Sequence, residues 1–160
     1  LKLSYINPTT NLIAMIDAFI KIYDRDLNKL KKEIELFNDE NNLWRTIGNI
    51  KNSGGNLCLH LVGNLNTYIG KNMGHSGYVR DRDAEFTLKN IPKEKLVQQV
   101  TETKEIALST LQNMTEGELK QNHVEKVFDY EMTNEFFLIH LAAHLSYHLG
   151  QINYLRRILE

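Results

Sequence analysis

Only two prolines, Pro8 and Pro92, occur in this chain, and each stands near the start of a run with apolar residues at helical spacing. Proline is tolerated there because the first-turn N–H of a helix has no intrahelical partner. The apolar period is 3.6 rather than 2 over four long stretches. The first helix is expected from about Thr9 to about Phe37, with Leu12, Ile16, Phe19, Ile20, Tyr23, Leu27, Leu30 and Ile34 on one stripe. The second starts near Asn52 and Ser53, which suit an N-cap, and ends around Gly70 to Met73. Its stripe is Leu57, His60, Leu61, Asn64, Leu65 and Tyr68. The third runs from Pro92 to about Met114, with Leu96, Val100, Thr103, Ala107 and Leu111 facing in. The fourth begins at Thr133 and continues to the end. These stretches predict an all-α, antiparallel four-helix bundle, with residues 1–160 as one domain. A chain of 160 residues can bury a substantial core.

The connections are long and irregular. Segment 38–52 carries the single tryptophan, Trp44, which reads as packing the linker. Segment 74–91 opens with GHSGYVRDRDAEF, Gly-rich at first and then charged. Segment 115–132 predicts a short helix around Glu116–Leu119, then HVEKVFDYEM as an extended piece. Loops of this length in a compact domain are commonly functional.

The net charge is -1, and the basic residues are dispersed among acids, as in KLKKEIE. That excludes the electrostatic footprint of a nucleic-acid binder. Cys58 is the single cysteine, so no disulfide can form within the chain, and a reduced, cytoplasmic compartment is expected. No run is apolar enough to span a bilayer and no signal peptide is visible, so no membrane partner is expected. The chain opens at Leu1 rather than Met, which leaves its natural N-terminus open.

His140, His144 and His148 recur at four-residue intervals in FFLIHLAAHLSYHLGQI, and His60 lies alone in LCLHLVGN. Imidazole is costly on a buried helix face unless its nitrogens are satisfied, and a divalent ion satisfies several at once. An i, i+4 pair is separated by about 40° around the helix and about 6 Å along it, so both rings reach one ion. The outer two of the three are about 12 Å apart and cannot easily share it. A third ligand must come from another helix, and His60 falls on the core stripe of helix two. Spacing does not choose between His140/His144 and His144/His148. A lone histidine such as His60 is more often a hydrogen-bonded core residue; the three-histidine run shifts the balance towards metal. His75 and His123 fall in loops and read as surface residues without a role.

HLSYHLGQI, with a histidine in helix two, resembles the DinB-like superfamily, whose members include the bacillithiol transferases. That family is a four-helix bundle holding a divalent ion through three histidines. One comes from helix two and two from an HxxxH on the last helix, shortly before a Gly-Gln pair. The resemblance implies His60, His144 and His148 as ligands and leaves His140 as a core or supporting residue. NSGGNLCLHLVGNL followed by RDRDAEF is similar to a branch of that superfamily of uncharacterised function. Homodimers are common among such proteins, so a homodimer is expected, with helix-four tyrosines such as Tyr147 able to support it.

Three neutral ligands leave an ion its full charge and an open position, which is the catalytic rather than the structural pattern. The open position can take water, giving hydrolysis of a small molecule, or a thiolate, giving thiol transfer. Zinc or nickel suits imidazole best, and manganese or iron is also accepted. Asn64, one turn after His60, can hold an imidazole N–H, touch substrate, or tie helix two to a neighbour. Gln151 can orient an imidazole or bond across helices, and the second reading is preferred. Arg80, Arg82 and Glu85 can anchor an anionic substrate such as a carboxylate-bearing thiol, though such clusters more often pin a loop. No general base announces itself. The leading expectation is a metal-dependent thiol S-transferase or small-molecule hydrolase. The alternatives are a non-catalytic, stress-linked metal-binding module for structure or sensing, and a plain helical interaction domain.

Overall fold

The computed structural model describes the backbone of residues 8–160 and the side chains of 14–160, so the expected core place of Leu12 lies outside the described side chains. Among the described residues the chain is helical and forms no strand. Helix α1 is Pro8–Glu35, and its stripe of Phe19, Tyr23, Leu27, Leu30 and Ile34 is buried. Four polar ties fix its position. The Tyr23 hydroxyl donates to the Leu138 carbonyl at 2.7 Å. Lys104 reaches Asp24 at 3.4 Å, and Arg156 and Asn153 each reach Glu33 at 2.9 Å. A 3-10 turn, Glu40–Trp44, begins the connection to α2. The Glu160 carboxylate accepts from the Asn38 and Asp39 backbone N–H groups at 2.7 and 3.2 Å, closing the last helix onto this connection.

Helix α2, Gly54–Leu65, is buried on every side, because α1 and the helices Arg82–Thr87, Lys93–Asn113 and Asn134–Leu159 all pack against it. Apolar residues and glycines fill most of its circumference, with Asn56, His60 and Asn64 as a single polar stripe, which suits such a centre. Ser53 caps it by accepting from the Asn56 N–H. Trp44 lies so close that a Cβ on Gly55 would meet its ring at 2.7 Å. After Leu65 the helix widens into a π-helical turn, Asn66–Lys71. Here Asn66 Nδ2 donates to the Val62 carbonyl and to Thr103 Oγ1, and Thr67 Oγ1 donates to the Gly63 carbonyl at 2.7 Å.

The charged segment expected as loop contains a helix, α3, Arg82–Thr87, capped by Asp81, whose carboxylate accepts from the Ala84 N–H at 3.0 Å. Six residues are too few to show a helical period, and what fixes them is tertiary: Asn56 Nδ2 donates to the carbonyls of Glu85 and Leu88, both at 3.0 Å. Helix α4, Lys93–Asn113, buries Leu96, Val100, Thr103, Ala107 and Leu111. Helix α5, Glu116–Lys120, carries a capping box between Thr115 and Glu118. The following segment, expected to be extended, forms only one antiparallel bridge, Asn122 to Thr133. Helix α6 is Asn134–Leu159, with Thr133 as its N-cap. No described helix is long and apolar enough to cross a membrane.

Candidate metal centre

His60, His144 and His148 come together between α2 and α6. His144 is in the middle: its Nε2 lies 3.2 Å from His60 Nε2 and 3.1 Å from His148 Nε2. Two neighbouring interactions decide which nitrogens carry hydrogen. His60 Nδ1 lies 3.0 Å from Glu85 Oε2, and His148 Nδ1 lies 2.7 Å from Gln151 Oε1. Both partners accept, so both Nδ1 atoms donate and both Nε2 atoms present lone pairs. His144 Nε2 can donate to one of them and leaves the other unmet. Its own Nδ1 is enclosed without a partner. No tautomer satisfies the cluster by hydrogen bonds alone.

A cation would resolve this. Ligand nitrogens about 2.0–2.1 Å from zinc in a tetrahedral site lie about 3.3 Å from one another, close to the two separations that His144 makes, and all three ligand atoms lie within 4.8 Å of one another. The donor set therefore fits a divalent ion that accepts imidazole. Burial, with His148, His60, His140 and Arg80 nearby, pushes the His144 pKa down to about 4. Burial also lowers His148, against the bond that its Nδ1 donates to Gln151. Both rings are neutral at neutral pH, as ligation requires.

Behind His60 stands an ion pair. Arg80 donates to Glu85 through Nε at 2.6 Å and Nη2 at 2.9 Å, while packing its guanidinium 5.7 Å from the Tyr68 ring centre. Glu85 is only 5% exposed. Burial works to raise its pKa, but the hydrogen bonds from His60 and Arg80 and the Arg80 charge outweigh it and hold Glu85 below the usual carboxylate range. Arg80 and Glu85 are thus engaged with each other and with His60, the internal pairing expected of a cluster that pins a loop rather than one that anchors substrate. Arg82 is exposed at the rim of a cavity of about 320 Å³ that His60, Asn64, Tyr68, His140 and His144 also line. Gln151, expected rather to bond across helices, orients His148 instead.

His140 stays outside the cluster. Its ring stacks between Phe137 and His144, at 5.9 and 6.2 Å. Asn64 is buried with its Oδ1 unpartnered, so it does not tie α2 to a neighbour through that atom. His75 is exposed, as expected of a loop histidine. His123, expected at the surface, is 8% exposed. Its Nδ1 donates to Asn134 Oδ1 at 2.8 Å, and its Nε2 accepts from Asn72 at 3.3 Å, which fastens segment 121–133 to the start of α6 and to the end of the π-helical turn.

Sequence reading missed two residues. Asn56 holds α3 over α2, and Gly63 makes room for Glu85: a Cβ on Gly63 would lie 2.0 Å from Glu85 Oε1. Glycine inside a helix costs about 1 kcal/mol relative to alanine, so its presence in LVGNL was a usable signal of close approach. Gly63→Ala is expected to destabilise the fold by about 1–3 kcal/mol, because a buried ion pair must shift to admit the methyl. Gly150→Ala, with nothing within 4 Å of the added Cβ, is the control and is expected to be neutral or stabilising. Thermal denaturation of the two variants makes the comparison.

A family described as a protein of unknown function (DUF1572) matches residues 9–160 of this chain. No curated protein matches it.

Proposed function

The chain belongs to the DUF1572 family, and we propose that it is a DinB-like metalloprotein, an antiparallel four-helix bundle that acts as a metal-dependent thiol S-transferase or small-molecule hydrolase. The observation that carries this reading is the convergence of the three histidines, with the Nε2 lone pairs of His60 and His148 turned to His144 Nε2 and no tautomer of His144 able to satisfy both. His60, His144 and His148 would hold the ion, zinc or nickel before manganese or iron. Bound there, such an ion supplies Lewis acidity and lowers the pKa of a water or thiol at its open position.

The chain's own residues do the rest. Glu85 keeps the proton of His60 on Nδ1, and Gln151 does the same for His148, so each ring offers Nε2. Val127, Phe137 and Leu141 form the apolar side of the cavity. His140 faces that cavity and is placed to exchange a proton with a ligand. A small-molecule substrate, a cytoplasmic location and a homodimer complete the proposal, with no nucleic-acid or membrane partner; exposed Tyr147 and Tyr154 on α6 offer a surface for the second copy.

Elemental analysis of tag-free protein tests the site. About one ion per chain is expected, as for a three-histidine centre, and none in a His60→Ala, His144→Ala, His148→Ala variant. Loaded protein then goes into assays of thiol addition to electrophiles and of ester and amide hydrolysis. No ion after soaking with zinc, nickel and manganese would end this reading. The lack of a carboxylate in the cavity lining favours a second reading, a metal-binding module without turnover. In that case stripping the ion lowers the melting temperature and no substrate is consumed.

A further inference from the structure

The cavity beside the three histidines has a one-sided chemistry. Arg82, Asn64 and Tyr68 contribute to its walls, and no aspartate or glutamate does. Asn64 is 7% exposed and its Oδ1 is enclosed without a partner. With Oδ1 turned inward, Nδ2 is the end of the amide on the cavity side. A buried amide oxygen left unpaired is costly, and leucine at this position would avoid that cost. An amide kept there at a cost is explained if Nδ2 has work to do in the cavity. Arg82 forms no ion pair among the described residues, whereas Arg80 is engaged by Glu85. An unengaged guanidinium, an amide donor and a phenol thus surround a space without negative charge, and a divalent ion would add to the positive potential.

We propose that this cavity is an oxyanion pocket: it takes a small ligand whose carboxylate or other oxyanion is held by Asn64 Nδ2 and Arg82, while its other end reaches the three histidines. The inference rests on the metal-centre reading and names the class of substrate for it. Charge-assisted bonds to guanidinium are strong and directional, and a neutral analogue of the same shape forfeits them.

A matched pair of probes tests it on the cobalt-loaded protein, through the thiolate-to-cobalt absorption band. The probes are 3-mercaptopropionate and 3-mercaptopropan-1-ol, which differ only in the oxyanion. Arg82→Gln and Asn64→Leu are each expected to weaken 3-mercaptopropionate about tenfold and to leave the alcohol within about twofold. Arg82 is exposed, so Arg82→Gln is the variant least able to disturb folding. Unchanged 3-mercaptopropionate affinity in Arg82→Gln at full cobalt content would overturn the pocket and leave the metal centre standing. Equal weakening of both probes would also overturn it, by showing a general disturbance. Wild-type protein that takes up no cobalt would overturn both readings.

Discussion

His144→Ala protein is expected to emerge from purification without metal, while His140→Ala protein keeps it. His144 is the one ring within 3.2 Å of both others, so its removal leaves two ligands on separate helices. The affinity loss should exceed the roughly 10–100-fold that follows loss of an outer-shell partner. Stability separates this effect from simple damage to the core. An ion at a thousand times its dissociation constant stabilises the folded state by about 4 kcal/mol, and the variant should gain nothing from it. In chelator the two proteins should differ much less, because the variant also removes an enclosed, unpartnered Nδ1. Thermal denaturation with and without chelator, beside elemental analysis, makes the measurement. Equal metal content in His144→Ala and wild type would sink the assignment.

Glu85→Ala should be the most destabilising single change around the site, by about 3–5 kcal/mol, since it strands a buried charge. Arg80 is 14% exposed at its side chain and has no second acid to turn to. The same change frees His60 to rotate. These two consequences can be pulled apart. Arg80→Met combined with Glu85→Leu replaces the pair by apolar groups, and it should recover most of the lost stability. Metal affinity in that double variant should still fall by about tenfold or more, because no acceptor holds His60 Nδ1. Recovery of both properties together would mean that Glu85 serves only the fold.

Much of this was legible in the chain because it is written in period. The buried faces of α1 and α4 follow the 3.6-residue stripe from Phe19 and from Leu96, with Ile20 only partly buried, and Ser53 and Thr133 cap where their side chains allow. That a pair from the last helix would meet His60 was also readable, through the i, i+4 spacing on one helix and a lone histidine in an apolar run on another, and the family resemblance pointed to His144 and His148 as the pair. What was not legible depends on contacts distant in sequence. The helix in RDAEFT exists because Asn56, far upstream, takes two of its carbonyls. His123 is inside because Asn72 and Asn134 meet both its nitrogens, and nothing local to HVEK announces that. The π-helical turn after Leu65 depends in part on Thr103 on α4. Spacing alone could not rank His140 against His148; the position of His60 across the interface does so.

His60 and His144 are separated by 84 residues of chain. A site with that span cannot exist in an early, locally ordered chain, because the long loop must close before the nitrogens meet. On the proposed reading, metal capture would therefore be a late event in folding, coming after the docking of α6 onto α2. Refolding with metal present should show an ordinary collapse and helix-forming phase, unaffected by the ion. The metal should act on the unfolding rate, locking a finished structure rather than guiding its assembly.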